Sequence, residues 1–202
     1  MKRVLYTQRV EIVESYGERR DCADQNIFKF IDACGYVPIP VSNVIKDIGQ
    51  YVDELHPSGI ILTGGNSLEI YGGNAPERDY TDEVLIQKAI KEEIPLFGFC
   101  RGMQSILHYF GCKLSQISGH VAIRHELTNE YGDKQFQTNS FHNQGCLRED
   151  IKAPLQIIAY AKDEIVEWIR HTNMPIEAIM WHPEREAHFK ERDMRIIKNL
   201  FR

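Results

Sequence analysis

The chain has 202 residues and a net charge of −5 at pH 7, and 43% of its residues are hydrophobic. This size and apolar content suit one substantial core, so we expect a single domain covering residues 1–202. The acidic balance argues against a nucleic-acid partner, because proteins that bind DNA or RNA carry basic patches. No apolar run is long enough to cross a bilayer, and the cysteines lack metal-type spacing. We therefore expect a cytoplasmic protein with reduced thiols and no membrane partner.

Strands and helices are predicted to alternate through the first half of the chain. Short apolar runs typical of buried parallel strands occur at 3–7, 36–40, 58–63 and 94–99. Apolar residues at helical spacing predict a helix capped by Asp21 and stopped by Gly35, helices at 43–55 and 76–93, and another after Cys100. Residues 8–20 are polar and are predicted to form a loop.

The second half changes character and predicts shorter strands, some of them antiparallel. These strands are predicted at 121–127, 136–141, 155–161, 165–170 and 176–181, and an amphipathic helix at 186–201 closes the chain. The fold class that follows is α/β, a three-layer sandwich with a mostly parallel central sheet. Ligands in such folds gather at the carboxyl ends of the strands, where both Gly64-Gly65 and Cys100 are expected.

Cys100 lies at the corner between the strand at 94–99 and the helix that follows it. Gly98 and Gly102 flank the cysteine and permit a tight turn with close backbone approach. A helix N-terminus can lower the pKa of a thiol toward the nucleophilic thiolate. A buried structural cysteine is the ordinary alternative, so a nucleophile needs a second catalytic group to support it.

His182 and Glu184 follow the last predicted strand, at what should be another carboxyl end of the sheet. A cysteine nucleophile needs a base to accept its proton, and that base needs an acceptor on its other ring nitrogen. A histidine and a carboxylate on either side of Pro183 can supply both. Alone, a His-Pro-Glu sequence is typical of an ordinary polar loop, and it gains meaning only together with Cys100.

Five segments of the sequence resemble the class I glutamine amidotransferase superfamily. They are GFCRGMQ at 98–104, WHPE at 181–184, GGN at 64–66, RD at 78–79 and NSFHNQ at 139–144. Within the superfamily, the chain is more similar to the free-standing γ-glutamyl hydrolases than to the ammonia-producing subunits. The resemblance implies the flavodoxin-like fold of that superfamily, with Cys100 as nucleophile, His182 as base and then acid, and Glu184 as the orienting carboxylate.

The same resemblance implies the groups that surround a γ-glutamyl substrate. Backbone N–H groups of Gly65 and Arg101 would form the oxyanion hole. The glutamyl end would be held by three neighbouring residues and one helical side chain, namely Ser140, Phe141, His142 and Gln104. The sequence departs from many γ-glutamyl hydrolases at Ser67 and Asn143. These departures leave the identity of the leaving group open, but they do not change the expected chemistry.

Arg9, Arg19 and Arg20 follow the first strand and should lie over the same sheet edge as Cys100. Solvated charges are the ordinary interpretation of such a stretch, but guanidinium groups also bind phosphate in bidentate fashion. The stretch resembles a bacterial subgroup of these hydrolases linked to capsule phosphoramidate synthesis. That resemblance implies the substrate γ-glutamyl-CDP-amidate, cleaved to glutamate and cytidine diphosphoramidate.

Three alternatives remain open at this point. The chain could be the glutaminase subunit of an amidotransferase that supplies ammonia to a synthetase, or a hydrolase of another γ-glutamyl amine. It could also be a catalytically silent module that binds a γ-glutamyl ligand. Whether it acts as a monomer or a homodimer is also open.

Neither a metal nor a cofactor is predicted. His120 and His125 are five residues apart on a predicted strand, and an odd spacing places two side chains on opposite faces, which argues against a shared metal. The glycine turns lack the pattern of a nucleotide-phosphate loop.

Overall fold

The computed structural model describes residues 1–132 and 134–202. Its strands are β1 (Arg3–Thr7), β2 (Arg9–Val13), β3 (Glu18–Cys22), β4 (Val37–Val41), β5 (Gly59–Leu62), β6 (Leu96–Phe99), β7 (Ser115–Gln116), β8 (Val121–Asn129), β9 (Gln135–Phe141), β10 (Gln144–Gly145), β11 (Leu155–Ala161), β12 (Val166–His171) and β13 (Ile176–Ile179). Its α-helices are α1 (Gln25–Ala33), α2 (Ile48–Leu55), α3 (Pro76–Glu92), α4 (Arg101–Tyr109) and α5 (Glu191–Leu200). No helix within these described residues is long and apolar enough to cross a membrane.

A nine-stranded sheet with the order β4-β1-β5-β6-β13-β12-β11-β8-β9 forms the centre of the molecule. The strands from β4 to β13 in this order are parallel, and the remaining strands continue the sheet in antiparallel fashion. The central parallel strands β5, β6 and β13 are short continuous apolar runs that are buried on both faces, as expected for a covered parallel sheet.

Helices cover both faces of the sheet. Apolar residues of α2, α3 and α4 pack with the sheet in one core, and those of α1 and α5 pack on the opposite face in a second core. Each helix contributes one apolar stripe, such as Ile27, Phe30 and Ile31 of α1. The predicted three-layer α/β architecture is therefore confirmed.

The register of the parallel strands aligns their carboxyl ends. Leu62 of β5 pairs with Gly98 of β6, and Ile179 of β13 pairs with Phe99 of β6. The residues that directly follow these three strands must therefore meet at one edge of the sheet. That edge is where the sequence placed Gly64, Cys100 and His182.

The segment predicted as a loop at 8–20 forms an antiparallel hairpin of β2 and β3 instead. The loop prediction was wrong because the local sequence is rich in charge, whereas pairing between the strands and tertiary contacts stabilise the hairpin. Asn66, which lies outside the hairpin, anchors β2. Its side chain accepts from the N–H of Val10 and donates to the carbonyl of Val10.

Several predicted helix ends also shift. The N-cap of α1 is Asp24, whose carboxylate accepts from the N–H of Asn26, and not Asp21. Asp21 instead accepts from Ser42 and Asn43 and ties the hairpin to the end of β4. Likewise α2 begins at Ile48 behind its cap Asp47, and α5 begins at Glu191.

Candidate active site

Cys100 occupies a sharp turn between β6 and α4. Its backbone has φ 50° and ψ −110°, a conformation that residues other than glycine rarely adopt. The Cys100 N–H donates to the carbonyl of Ile179, and its carbonyl accepts from the N–H of Gln104. Backbone strain held in place by surrounding bonds is typical of a nucleophile at a strand-to-helix elbow.

Gly98 and Gly102 let β6, α4 and β5 approach closely around this turn. A Cβ added to Gly98 would lie 2.8 Å from the backbone of Gly102, and one added to Gly102 would lie 2.0 Å from the carbonyl oxygen of Leu62. Both clashes involve backbone, which cannot move aside. The two glycines therefore set the position of Cys100 relative to the sheet.

Gly102→Ala is expected to lower the free energy of unfolding by about 3 kcal/mol, because the new methyl group overpacks against backbone. Gly49→Ala in α2 is the matched control, since its Cβ would meet only Asp47 Oδ1 at 3.4 Å. Alanine favours helices over glycine, so the control should be neutral or stabilising by up to about 1 kcal/mol. Urea denaturation of both variants measures the difference, and equal stabilities would contradict this role of Gly102.

His182 lies beside Cys100, close enough for the charges of the two side chains to interact. On the other side of the ring, Nδ1 donates to Glu184 Oε1 at 2.7 Å. The rings of Phe99 and Phe141 pack edge-on against the imidazole, with centroids 5.8 and 5.7 Å away. The histidine is thus fixed in orientation by one carboxylate and two aromatic rings.

The buried pair of Cys100 and His182 favours charge separation. Burial by itself raises the pKa of the Cys100 thiol, but its interactions with His182 outweigh burial and hold the pKa below its ordinary value. Burial likewise disfavours a charged His182, yet Cys100 and Glu184 together raise its pKa to about 9. Both shifts act in the direction of a thiolate beside an imidazolium.

Asn139 of β9 positions the backbone of His182. The His182 N–H donates to Asn139 Oδ1 at 2.9 Å, and Asn139 Nδ2 donates to the His182 carbonyl at 2.8 Å. Sequence reasoning included Asn139 only as part of a family-like segment and gave it no role. Its pairing with a residue 43 positions away has no local signal in the sequence.

The turn after β5 is held by Arg78, which is fully buried in α3. Its guanidinium donates to the carbonyls of Thr63, Gly64 and Gly65 at 2.6 to 2.9 Å. Gly64 packs directly against His182, since a Cβ added to Gly64 would lie 2.7 Å from His182 Cε1. Burial lowers the pKa of Arg78 to about 9, with Arg101 adding to this effect.

The two residues predicted for the oxyanion hole lie on either side of Cys100. Gly65 sits in the turn after β5 with φ 90°, and Arg101 is the first residue of α4. The first N–H groups of a helix have no partner within the helix and are free to bind an anion. The Arg101 side chain points away to ion pairs with Asp79 and Asp82 beneath the turn.

The other predicted glutamyl-binding residues surround the pair from β9 and α4. Gln104 donates to the carbonyl of Gln144, and Ser140 Oγ donates to the carbonyl of His120. Phe141 packs against His182 and carries the guanidinium of Arg185 over its ring at 4.5 Å. His142 is buried, and its charge interacts with that of Cys100.

The structure does not bring the three predicted arginines into one clamp. Arg9 reaches the site. Its side chain lies against Gly65, because a Cβ added to this glycine would be only 2.9 Å from Arg9 Cδ. Arg19 pairs with Glu77, and Arg20 pairs with Glu18 and with the hydroxyl of Tyr16. Arg19 and Arg20 are adjacent in β3, so their side chains point to opposite faces of the hairpin.

The expectation that His120 and His125 lie on opposite faces of a strand was wrong. A bulge between Val121 and Ile123, with Ala122 at φ 56°, interrupts the alternation of β8. The two imidazole rings therefore meet, with centroids 4.9 Å apart, beside the buried carboxylate of Glu167.

This architecture and site define the class of the protein, an α/β protein with the fold of the class I glutamine amidotransferases. The crystal structure of a protein assigned as a GMP synthase component, from Thermoplasma acidophilum, matches it with a TM-score of 0.71, covering 100% of this chain and 93% of that one at 16% identity. The profile of the Peptidase C26 family matches residues 5–184, and the chain belongs to this family.

Two curated relatives have defined activities. A γ-glutamyl-CDP-amidate hydrolase from Campylobacter jejuni is 33% identical, with 96% of this chain and 95% of that protein aligned. A γ-glutamyl-γ-aminobutyrate hydrolase from Escherichia coli O157:H7 is 28% identical, with 77% of each chain aligned. The family resemblance noted in the sequence is therefore confirmed.

Proposed function

We propose that the protein is a cysteine hydrolase that cleaves a γ-glutamyl amide through a thioester and releases glutamate. The observation that carries the proposal is the arrangement of Cys100 on the strand-to-helix elbow, His182 beside it and Glu184 hydrogen-bonded to His182. Relatives that hydrolyse γ-glutamyl amides support it. Cys100 is the proposed nucleophile, His182 the proton carrier and Glu184 the residue that positions it.

In the first half of the reaction, the Cys100 thiolate attacks the γ-carbonyl carbon and forms a tetrahedral intermediate. The backbone N–H groups of Gly65 and Arg101 are the proposed donors to its oxyanion, a contribution of roughly 3 kcal/mol for each donor. The His182 imidazolium gives its proton to the departing nitrogen, the C–N bond breaks, and a γ-glutamyl thioester remains on Cys100.

In the second half, His182 is neutral and accepts a proton from water as the water oxygen attacks the thioester carbonyl. The C–S bond then breaks, glutamate leaves, and the thiolate–imidazolium pair is restored. Glu184 holds Nδ1–H throughout, so that Nε2 faces the reacting atoms.

For the leaving group we propose a nucleoside diphosphoramidate, with γ-glutamyl-CDP-amidate as the substrate. The Campylobacter jejuni relative acts on that compound and aligns over almost the full length of both chains. Arg9 supports the proposal because it lies next to Gly65 and its buried Nε has no hydrogen-bond partner among residues 1–132 and 134–202, while its Nη2 pairs with the exposed Glu11 at 2.6 Å. A guanidinium with a free donor at the mouth of the site can bind a phosphate oxygen.

The direct test is a substrate panel with product identification by mass spectrometry. The panel contains γ-glutamyl-CDP-amidate, γ-glutamyl-γ-aminobutyrate, a folate polyglutamate and L-glutamine. We expect glutamate from the nucleotide substrate with the highest kcat/KM. Equal rates on all amides would refute the nucleotide assignment, preferential release of ammonia from L-glutamine would favour an amidotransferase subunit, and no turnover at all would favour a binding module.

Arg9→Gln is expected to raise KM for γ-glutamyl-CDP-amidate by about 10-fold, because one charge-assisted hydrogen bond to phosphate is lost. KM for γ-glutamyl-γ-aminobutyrate, which has no phosphate, should stay unchanged. Arg20→Gln in the same hairpin is the matched control, since Arg20 is exposed and is not among the residues that line the pocket beside Gly65 and His182, as Arg9 is. Equal effects of Arg9→Gln on both substrates would count against a phosphate contact.

The pH profile should show a high alkaline limit set by His182. Its pKa is raised to about 9, so the imidazolium that protonates the leaving nitrogen persists up to that pH and is lost above it. We expect kcat/KM to fall above about pH 9 while alkylation of Cys100 by iodoacetamide continues, because the thiolate remains. A fall in both rates together above that pH would show that His182 is not the acid.

A further inference from the structure

A cluster of polar side chains, most of them buried, lies beside the active site and takes no part in the reaction steps above. The histidine cluster consists of His120, His125, His142, Glu167 and Asp163. Glu167 of β12 is fully buried, although a carboxylate is costly to bury without partners. Its Oε1 accepts from His142 Nε2 at 3.1 Å and lies 3.3 Å from His120 Nδ1.

Two polar atoms of the histidine cluster lack hydrogen-bond partners within the described residues. They are Glu167 Oε2 and His125 Nε2, both buried and 3.7 Å apart. An anionic oxygen and an imidazole nitrogen that face each other without partners are unusual in a folded core.

We propose that His120, His125 and Glu167 form a binding site for a divalent transition metal of the zinc class. One ligand atom from each residue lies within 4.8 Å of the other two. Ligands of a zinc ion at ~2.1 Å lie roughly 3 to 4 Å from one another, so small side-chain movements suffice. Two imidazoles and one carboxylate are a ligand set that zinc accepts, with the fourth position left to water or to a ligand.

Metal sites also need neighbouring groups that orient the ligands by hydrogen bonds, and the histidine cluster contains such groups. His120 Nε2 donates to Asp163 Oδ2 at 2.9 Å, which leaves Nδ1 beside Glu167 Oε1 at 3.3 Å and His142 Nε2 at 3.2 Å, and a metal on Nδ1 displaces the contact with His142. Carboxylates commonly orient metal-bound imidazoles in this way. His142 donates to Glu167 Oε1 and leaves Oε2 for the ion.

The site also has an entry path and a connection to Cys100. An open depression of about 810 Å³ is lined by His120, His125, Asp163 and Lys162, so an ion can reach the two imidazoles from solvent. His142 bridges the two sites, because it hydrogen-bonds Glu167 and interacts with the charge on Cys100. A metal on Glu167 would therefore lie one side chain away from the nucleophile.

The test measures Zn²⁺ binding by equilibrium dialysis and Co²⁺ binding by absorption spectroscopy on the full chain. A Cys100→Ala background removes the alternative site that the thiol and His182 could form. We expect about one metal per chain and a Co²⁺ spectrum without a thiolate charge-transfer band, because no cysteine is a ligand. A thiolate band, or the absence of binding, would overturn the proposal.

Four variants in that background locate the ion. His125→Gln and Glu167→Gln should each weaken Zn²⁺ binding by roughly 100-fold or more, and Asp163→Asn, which replaces the charged acceptor of His120 Nε2–H with a neutral amide, by about 10-fold. His188→Gln, an exposed histidine outside the cluster, is the matched control and should bind as before. Thermal melts establish that each variant is folded. If His125→Gln or Glu167→Gln fails to fold, the half-exposed Asp163 carries the test, and unchanged affinity in Asp163→Asn would then reject the site.

Discussion

Cys100→Ala is expected to reduce hydrolysis of the γ-glutamyl substrate by roughly 10⁶-fold, since removal of a covalent nucleophile leaves only binding and the oxyanion donors. Incubation with a glutamine-like electrophile should add its mass to the wild-type chain at Cys100 and not to the variant. Steady-state kinetics and intact-protein mass spectrometry measure the two effects. The fold should survive, because alanine removes only one sulfur atom from the elbow.

Cys34→Ala is the matched control for this loss. Cys34 is a buried cysteine that ends α1 in the core between α1 and α5, where the charges acting on its thiol are those of Lys198 and Asp193. Its removal should cost about 1 to 2 kcal/mol of stability through a small cavity and leave kcat unchanged at 25 °C. A Cys100→Ala protein that retains a tenth of the activity would disprove the thioester mechanism.

Glu184→Gln is expected to lower kcat by roughly 10⁴-fold, with little change in KM. The buried carboxylate accepts from His182 Nδ1 and helps raise the pKa of the imidazole, whereas a glutamine carries no charge and can present its amide in the wrong orientation. Because loss of the carboxylate lowers the pKa of His182, the alkaline limit of kcat/KM should move below about pH 9.

The shift of the alkaline limit distinguishes two roles for Glu184. A residue that positions and charges His182 moves the limit, whereas a residue that only supports the fold does not. Glu191→Gln is the matched control, since Glu191 is an exposed carboxylate at the start of α5 that pairs with Arg195. It should leave both the rate and the alkaline limit in place. A Glu184→Gln enzyme with reduced kcat and an unmoved alkaline limit would show that Glu184 only supports the fold around the histidine.

The parts of the fold that were predicted from the sequence have local signals. Continuous apolar runs marked β5 and β6, and helical periodicity marked α3 and α4. The elbow at Cys100 was visible because its two glycines are close neighbours of the cysteine in the chain. His182 and Glu184 could be placed because each parallel strand of an α/β sheet ends on the same edge.

The parts that were missed depend on distant residues. The charged strand β3 has little strand propensity of its own and is fixed by pairing with β2 and by Arg19 bound to Glu77. Likewise, the contact between His120 and His125 depends on a single residue with positive φ, Ala122, which shifts the register of β8. An alanine in the sequence does not predict a positive φ. The regular alternation of side chains along a strand therefore placed His120 and His125 on the wrong faces.

Pairing of β6 with β13 joins segments of the chain that are about 80 residues apart, Leu96–Phe99 and Ile176–Ile179. Contacts between segments so distant along the chain form late, because the intervening loop must close first. During synthesis, Cys100 leaves the ribosome seconds before His182 and Glu184, since the chain grows by roughly 5–20 residues per second. Under the proposed mechanism, the nascent chain therefore carries its cysteine before the histidine and carboxylate that activate it, and reactivity begins only when the last parallel strand enters the sheet.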